Sequence, residues 1–434
     1  MAGPLIVNNL CIAGMQFADT VMSGMLGTQD LAGVAVGAQV WYLALMINLG
    51  LMMAISPIAA RYFGSDNLEK IGVYTQQGLL LAVISGIFFF TLVQVFVVSV
   101  MDYFYLDKGF KHLAIDYVRA VMFGAPALYA FFVLRFTTEG IGFTRPIMYA
   151  SAFSFLCNIF LNWVFMFGKF GFKAYGAMGC GIASAITCWL LLIVMIIYFY
   201  KKSIYKPLKI FYKNNLIKIN VLKEILFLGG PISGAIVAES GFFSAVTLLV
   251  GTRGTEILAA HQIAVNFAST MFMVPLALGA ATTIRIGHAL GSKNPLDARL
   301  RGISGIFFSA IFMFCSATFM LFFGKNILEI YTADSVVINI GITLLFMAAI
   351  FQIADGIQIS AAGALRGYKD TRIPMFINIF SYWALGFPLA YLATITFRAS
   401  PPYIWGAFLV GLTVAAILLP WRFNRISIAH IKEA

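Results

Sequence analysis

Charged residues are scarce in this chain. Asp, Glu, Lys and Arg make up only 11% of its 434 residues, whereas 61% are hydrophobic. A water-soluble domain cannot bury so much apolar surface, and the mean hydropathy of +0.92 points the same way. The composition therefore excludes a soluble protein. It predicts an integral membrane protein whose solvent is lipid, with almost no room for a soluble domain.

Acidic residues are scarcer than basic ones, with 17 Asp and Glu against 29 Lys and Arg and a formal net charge of +12. In a soluble protein this excess would suggest nucleic acid as a partner. Here the basic residues gather in short breaks between apolar runs, where they meet anionic lipid headgroups. We therefore expect membrane lipids as partners and no nucleic acid.

Cysteine and histidine are also scarce. All five cysteines lie inside apolar runs, and none belongs to a CxxC pair. They are Cys11, Cys157, Cys180, Cys188 and Cys315. We expect these to be packing residues rather than disulfides. None of the four histidines is followed by Glu, so the HExxH zinc signature is absent, and there is no GxGD-type aspartyl pair. An intramembrane enzyme is therefore a remote alternative, and we expect no cofactor.

Long apolar runs dominate the chain instead, and each is long enough to cross a hydrocarbon core of about 30 Å. We predict twelve membrane-spanning helices over residues 4–26, 33–60, 72–100, 113–138, 146–168, 175–200, 224–250, 257–290, 302–324, 335–363, 373–397 and 402–421. The only long polar break, residues 201–223, carries seven lysines and is predicted to be a cytoplasmic linker or a surface helix. The predicted domains are a six-helix bundle over 1–200, this basic linker over 201–223, and a second six-helix bundle over 224–434.

The distribution of positive charge predicts the orientation of the chain. Lys and Arg are more numerous in the even-numbered breaks between the predicted helices than in the odd-numbered breaks. Positive charge is retained on the cytoplasmic side, so we expect both termini in the cytoplasm. An even number of helices agrees with this, as do Arg422, Arg425 and Lys432 in the C-terminal tail.

An internal repeat runs through the sequence at a constant offset of 227 residues. The matches are Gly64-Ser65-Asp66-Asn67 with Gly291-Ser292-Lys293-Asn294, Leu31-Ala32 with Leu258-Ala259, Gly140 with Gly367, and Thr144-Arg145 with Thr371-Arg372. Gly27-Thr28 matches Gly251-Thr252 at an offset of 224, which predicts three extra residues in the first outer turn of the second half. Six helices per repeat imply a pseudo-twofold axis along the membrane normal and a cavity between two bundles, as in transporters.

Three acidic residues, Asp19, Glu239 and Asp355, lie inside the predicted helices. A charged side chain there costs about 2.5 to 3.5 kcal/mol on insertion scales, so we expect each to have a role. The alternative for each is a buried acid hydrogen-bonded to a neighbouring helix. Through the repeat, Glu239 falls on Met15, one turn from Asp19, so both are expected to face the central cleft. A sheltered carboxylate readily takes a proton or a cation, which supports exchange of a proton or Na⁺ for a cationic substrate.

Two amides stand near these acids in the predicted arrangement. Asn158 and Asn162 are four residues apart and present their side chains on one helical face. Their oxygens would help to bind a hard cation beside Asp19. Hydrogen bonding between helices is an equally open alternative.

Two further polar positions are open to a structural and a functional interpretation. Gln262 and Asn266 repeat the spacing of four, and we interpret them as hydrogen-bonding between helices unless they line the cleft. Asp334 directly precedes the tenth predicted helix and is interpreted as its N-cap. Capture of cations at the outer mouth is its alternative role.

Three stretches of the sequence are distinctive, namely FADTVMSG at 17–24, LAGV at 31–34 and AAGALRGYKD at 361–370. With these stretches as its most specific parts, and over essentially its whole length, the chain resembles the multidrug and toxic compound extrusion (MATE) family, in particular its NorM-like bacterial branch. This resemblance implies two six-helix bundles that form a V. It also implies secondary active multidrug efflux by alternating access, in which Na⁺ or H⁺ is exchanged for amphipathic cationic drugs and dyes. The expected location is the bacterial inner membrane, and we expect a monomer.

The same resemblance implies roles for individual residues. The family's cation-site acids fall on Glu239 and Asp355, which would hold Na⁺ and contact the substrate. Its first-bundle site falls on Asp19, Asn158 and Asn162, and substrate contacts in related proteins suggest Gln262 and Asp334. A related branch has an acid at the position of Asn162, which moves the expected coupling site towards Glu239 and Asp355, and the expected ion towards Na⁺.

Two further transporter classes remain as alternatives. A lipid-linked precursor flippase of the same superfamily needs cationic residues in its cavity to hold pyrophosphate, whereas this interior shows acids. Arg119, Arg135 and Arg285 are the exceptions to examine, because two of them facing the cleft would favour the flippase. A channel is less favoured, because two unequal halves with single acids do not resemble a symmetric selectivity ring.

Overall fold

The computed structural model describes residues 2–103, 108–210 and 217–433, and within these ranges the chain forms helices and turns without a strand. Among the described residues, twelve helices are long and apolar enough to cross a membrane. They are α1 (Ala2–Leu26), α2 (Thr28–Gly64), α3 (Leu68–Tyr103), α4 (Gly109–Gly140), α5 (Arg145–Phe167), α6 (Gly176–Lys201), α7 (Ile219–Gly251), α8 (Thr255–Gly291), α9 (Pro295–Tyr331), α10 (Ser335–Gly367), α11 (Arg372–Thr396) and α12 (Pro401–Lys432). The prediction of an all-α membrane protein with twelve spanning helices is confirmed.

Many helices extend beyond the predicted apolar runs, and α9 shows why. Its prediction covered 302–324, but the helix begins at Pro295. The side chain of Asn294 caps it, because Oδ1 accepts a hydrogen bond of 3.1 Å from the backbone N–H of Asp297. Asp297 also pairs with Arg301 at 2.6 Å. Polar residues thus continue the helix outside its apolar part, where hydropathy gives no signal.

The chain divides into two compact units, Gly3–Ser233 and Gly234–Ala434, which we call the first and second unit. The division falls inside α7 rather than in the polar break on which the predicted boundary at 223/224 is based. Early residues of α7 pack within the first unit. The Ser233 hydroxyl donates a 2.6 Å hydrogen bond to the carbonyl of Ile47, and Gly229 touches the backbone of Leu51.

The predicted basic linker is attached to α3 where the structure describes it. Residues 211–216, including Lys213, lie outside the described residues. Before them, the Gln76 side-chain amide donates a 2.7 Å hydrogen bond to the carbonyl of Ile210. After them, the Lys218 N–H donates to Gln77 Oε1 at 3.1 Å. The described parts of the linker therefore belong to the packing of the first unit.

Close helix packing in the second unit explains part of the motif at 361–370. A Cβ atom at Gly363 would lie only 2.4 Å from the carbonyl oxygen of Gly279, so α10 and α8 touch backbone to backbone. Only glycine allows this approach without displacing a helix. The hydroxyl of Thr283 then donates a 2.6 Å hydrogen bond to the carbonyl of Gly363 across the same contact.

The backbone geometry of the turns follows the sequence repeat. Asp66 and Lys293, which are matched at the offset of 227, both adopt a left-handed conformation, with φ values of 56° and 58°. Gly142 and Lys369, another pair at the same offset, have φ values of 88° and 60°. Because left-handed non-glycine residues are uncommon, their recurrence at matched positions supports the internal duplication.

One detail of the predicted repeat is wrong. We paired Gly27 with Gly251, but the structural counterpart of Gly27 is Gly254. Gly27 caps the N-terminus of α2 with φ 146° and ψ 169°, and Gly254 caps α8 with φ 118° and ψ 162°. The offset of 227 therefore holds at this glycine, and the extra residues Thr252 and Arg253 precede it. The sequence alone could not separate two glycines in one turn.

The two units differ in the regularity of their fifth helices. The α5 helix of the first unit is α-helical from Arg145 to Phe167. Its counterpart α11 contains two π-helical stretches, Phe380–Gly386 and Leu392–Thr396. A π-helical stretch inserts a residue into the helical turn and re-aims the side chains around it, often at functional sites. We call Phe380–Gly386 the π segment.

Candidate functional site

The first-unit site is built around Asp19 of α1. Asn162 of α5 donates a 2.6 Å hydrogen bond from Nδ2 to Asp19 Oδ1 and a 3.3 Å bond to Asn158 Oδ1. The spacing of four places both amides on one face of α5, so the structure brings together the three residues that the sequence singled out here. Asn158 and Asn162 are buried, and Asp19 is half-buried.

A second contact between α1 and α5 lies nearer the N-terminus of α1 than Asp19 does. Ser151 donates a 2.5 Å hydrogen bond to Asn8 Oδ1, and both residues are buried. Gly14 leaves space for the ring of Phe155, since a Cβ atom there would lie 3.0 Å from it. This packing determines how α1 is placed along α5, and it thereby places Asp19 beside the α5 amides.

Helix α6 adds two residues that the sequence analysis missed. Ser184 donates to Asp19 Oδ2 at the long distance of 3.5 Å, and the thiol of the buried Cys180 lies within hydrogen-bonding reach of the same carboxylate. Their spacing of four on one helix was the available signal. Asn162 Oδ1 is buried and has no partner in the described structure. An unpartnered acceptor of this kind is rare and suits a bound ligand.

The second-unit site holds two carboxylates and one amide. Gln358 of α10 donates from Nε2 to Glu239 Oε1 of α7 at 2.9 Å and to Asp355 Oδ1 at 3.2 Å. Gln358 is fully buried, Asp355 is 7% exposed, and Glu239 is half-buried. The structure thus brings Glu239 and Asp355 together, as the sequence analysis expected, and adds Gln358, which it missed. The missed signal was the spacing of three between Asp355 and Gln358.

The charges of the second-unit site call for a cation. Two carboxylates that share one amide repel each other in a low-dielectric interior, and a proton or a metal cation between them relieves that repulsion. Gln358 Oε1 is buried without a partner in the described ranges, so it is a third oxygen available to a cation. Oxygen ligands of this kind suit hard cations. In the described ranges, this site included, no group of three or more His, Cys, Asp or Glu residues could hold a metal ion.

A buried arginine corrects one part of the sequence analysis. Arg366 follows the predicted end of the tenth helix at residue 363, but α10 continues to Gly367 and Arg366 is only 8% exposed. It interacts electrostatically with Glu239, and its Nε and Nη2 atoms have no partner among the described residues. The interior of the second unit therefore contains a positive charge as well as two acids. Its burial was not predicted, because Arg366 lies where the apolar run ends.

Gln262 and Asp334 are not part of this cluster. Asp334 caps α10, as predicted, and its Oδ1 accepts a 2.8 Å hydrogen bond from the N–H of Val336. Gln262 is exposed, and its neighbour Asn266 accepts a 3.0 Å bond from Tyr331. In the described structure no hydrogen bond or ion pair joins Gln262 or Asp334 to Glu239 or Asp355.

In the described ranges, no hydrogen bond or ion pair joins the side chains of the three arginines that would favour a flippase to the three acids of the two sites. Arg119 and Arg285 are exposed. Arg135 is largely buried, but its Nε is 2.7 Å from Glu139 Oε1, one turn along the same helix. Its charge is therefore already matched by an acid.

Comparison with a protein-family model gives the same division into repeats. A model of the MatE family matches residues 4–164 and again residues 231–392. The two matches begin 227 residues apart, at the offset found in the sequence.

Proteins of similar sequence are named as multidrug resistance proteins. The chain is 35% identical over 433 residues to "Multidrug resistance protein NorM" of Vibrio vulnificus (strain YJ016), covering 98% of this chain and 94% of that protein. It is 35% identical over 428 residues to "Multidrug resistance protein MdtK" of Photorhabdus laumondii, covering 98% and 93%.

Solved structures confirm the fold. The eukaryotic MATE transporter AtDTX14 aligns with a TM-score of 0.88 at 21% identity, covering 100% of this chain and 97% of that one. An outward-facing multidrug resistance MATE family transporter of the MOP superfamily aligns with a TM-score of 0.90 at 19% identity, covering 100% and 95%. At these identities the likeness concerns the fold alone.

Proposed function

Because this chain belongs to the multidrug and toxic compound extrusion family, we propose that it is a secondary active multidrug exporter that exchanges Na⁺ or H⁺ for amphipathic organic cations by alternating access. The observation that carries this proposal is the buried Gln358 amide, which joins Glu239 and Asp355 into one site. Two acids at one amide attract a positive ion and cannot easily stay charged without one. Transport is the function, with no catalytic chemistry and no cofactor.

The coupling site of this proposal is the second-unit site. Glu239 and Asp355 hold the driving ion and also attract the cationic substrate, and Na⁺ is the favoured ion because the site offers several oxygens. If one site cannot hold both cations, loading of the driving ion releases the drug, and the coupling is reciprocal. Asp19, Asn158 and Asn162 form a second cation site. Because it has a single carboxylate, it suits a proton better than a metal ion.

The setting of this activity is a cell membrane. Relatives named as multidrug resistance proteins support cationic drugs and dyes as substrates. We propose that the protein is a monomer of the bacterial inner membrane, spanning it many times with both termini in the cytoplasm. Gln262 and Asp334, both exposed in the structure, serve as outer substrate contacts in this proposal.

The test is ethidium uptake into everted membrane vesicles, the direction that corresponds to efflux from the cell, with Na⁺ and pH gradients imposed separately. We expect Glu239→Gln and Asp355→Asn each to lower the initial efflux rate by about 100-fold, because each loses charge-assisted bonds worth about 1.5 to 3 kcal/mol. Glu256→Gln is the matched control, since Glu256 is an exposed acid in the first turn of α8.

Two results would contradict this assignment. Efflux at the parent rate in both variants would remove Glu239 and Asp355 from the coupling site. Loss of efflux in Asp19→Asn alone, without any dependence on Na⁺, would transfer the coupling to a proton in the first-unit site.

A further inference from the structure

The π segment of α11 lies against α7 at the residues that flank Glu239. Its consecutive aromatic residues, Tyr382 and Trp383, both contact this part of α7. In a regular α-helix, neighbouring residues point about 100° apart, so two adjacent side chains seldom serve the same contact. The wider π turn brings both to one neighbouring helix.

Trp383 fixes the α7 backbone beside Glu239. Its indole Nε1 donates a 2.9 Å hydrogen bond to the carbonyl of Ala238, the residue directly before Glu239. Its ring also covers Gly241, where a Cβ atom would lie 3.2 Å from the ring. The indole thus holds the helical turn that carries the carboxylate.

Tyr382 places a polar atom in the same region. Its side chain is fully buried, and its ring stacks on Phe242 with a centroid distance of 5.4 Å and an interplanar angle of 10°. Phe242 lies one turn after Glu239 on the same helix. The Tyr382 hydroxyl has no hydrogen-bond partner in the described ranges, and it interacts electrostatically with both Glu239 and Asp355.

Packing alone does not account for this hydroxyl. Phenylalanine would keep the stacked ring against Phe242, which is also met edge-to-face by Phe408 of α12 at 5.3 Å. A buried hydroxyl without a partner is unfavourable, whereas phenylalanine would avoid that cost. The oxygen therefore points to a ligand that is bound during the working cycle.

We propose that the Tyr382 hydroxyl is a further oxygen ligand of the cation held by Glu239 and Asp355, and that the π segment positions it there. This inference rests on the proposed function and extends it to a third helix. With Gln358 Oε1, which is also unpartnered, the site then offers two carboxylates, one amide oxygen and one hydroxyl oxygen from α7, α10 and α11. Such a set of oxygens suits a hard monovalent cation such as Na⁺.

Tyr382→Phe tests the inference, because it removes one oxygen and keeps the stacked ring. The first measurement is the Na⁺ concentration that gives the half-maximal rate of ethidium uptake into everted vesicles, which corresponds to efflux from the cell. The second is the rise in unfolding temperature of the purified protein in NaCl compared with equal KCl. We expect about a tenfold higher half-saturating Na⁺ concentration, as for the loss of one favourable contact, and an unchanged rate at saturating Na⁺. In KCl, the unfolding temperature of Tyr382→Phe should equal or exceed that of the parent.

Tyr368→Phe is the matched control. Tyr368 is buried in the same unit and its hydroxyl is also unpartnered, but its ring lies against Phe423 and His430, at the end of α10. We expect parent-like Na⁺ dependence from this variant. Trp383→Phe keeps an aromatic ring and loses the bond to Ala238, so we expect an increase in half-saturating Na⁺ of about threefold.

The outcomes separate this inference from the proposed function. If Glu239→Gln abolishes coupling while Tyr382→Phe keeps the parent's half-saturation, or if Tyr368→Phe shifts it equally, only the role of Tyr382 is overturned. If the parent is driven by protons, the same tenfold shift must be seen in the proton concentration at half-maximal efflux, and its absence overturns the inference. A parent without any ion dependence overturns both proposals.

Discussion

The two units solve the problem of an intramembrane acid in different ways. The first unit holds one carboxylate, Asp19, with two neutral amides and a distant hydroxyl. The second unit holds two carboxylates around one amide, with Arg366 nearby as a partial counter-charge. The duplicated scaffold has therefore kept its turns but not its charges.

Under the proposed function, this difference gives one fold two kinds of cation site. A single carboxylate with amide donors is already satisfied when charged, so an added cation competes with hydrogen bonds. A pair of carboxylates repels itself, so an added cation is a net relief. Two carboxylates around one amide are thus better placed to couple a metal ion, and a single carboxylate to exchange a proton.

The largest effect is expected when the first-unit site is given the charge of the second. Asn162→Asp places a carboxylate where Nδ2 now donates to Asp19 at 2.6 Å. In the Glu239→Gln background, we expect it to restore stabilisation of the purified protein by NaCl over KCl, with a half-saturating concentration within about tenfold of the parent's. Asn266→Asp, at an exposed position, is the control. Absence of any Na⁺ effect would mean that a carboxylate pair is not sufficient.

A smaller effect is expected from the counter-charge of the second unit. Arg366→Leu removes a positive charge that acts on Glu239, so cations should bind more tightly. We expect the half-saturating Na⁺ concentration for efflux to fall about threefold, in keeping with a screened charge interaction. Arg366→Lys should stay near the parent, and Arg285→Leu, at an exposed position of α8, serves as the control. A higher half-saturating concentration would show that Arg366 supports the site instead.

The smallest effect is expected at Ser184. Its hydroxyl reaches Asp19 Oδ2 only at 3.5 Å, the outer limit of a hydrogen bond. Ser184→Ala should therefore change the initial rate of proton-driven efflux by less than about twofold, since such a long contact contributes little. A loss as large as that in Asp19→Asn would show that the contact shortens during transport, and that the two sites share a dependence on hydroxyl groups.

The sequence predicted the twelve helices, and it marked the acids of both sites, for a clear physical reason. Apolar runs and charged breaks report the solvent directly, and an acid inside such a run is visible at once. Asn158 and Asn162 were found because their spacing matches a helical turn. Their contact with Asp19 joins residues 143 positions apart, and only the repeat and the family resemblance pointed to it.

The missed residues share a weak local signal. Gln358 is neutral and lies in an apolar helix, so composition does not mark it, although its spacing from Asp355 could have done so. Arg366 stands where the apolar run ends, and its burial depends on neighbouring helices. The π segment also depends on tertiary packing, because no residue pattern in 380–386 distinguishes it from an ordinary helix.

Helix α7 is continuous from Ile219 to Gly251, although its residues are divided between the two units. Its early turns are hydrogen-bonded into the first unit at Ser233, and Glu239 follows less than two turns later in the second. At 1.5 Å per residue, about 9 Å of stiff backbone connects these two residues. The last residue of the first unit and the carboxylate of the second-unit site therefore share one stretch of hydrogen-bonded helical backbone.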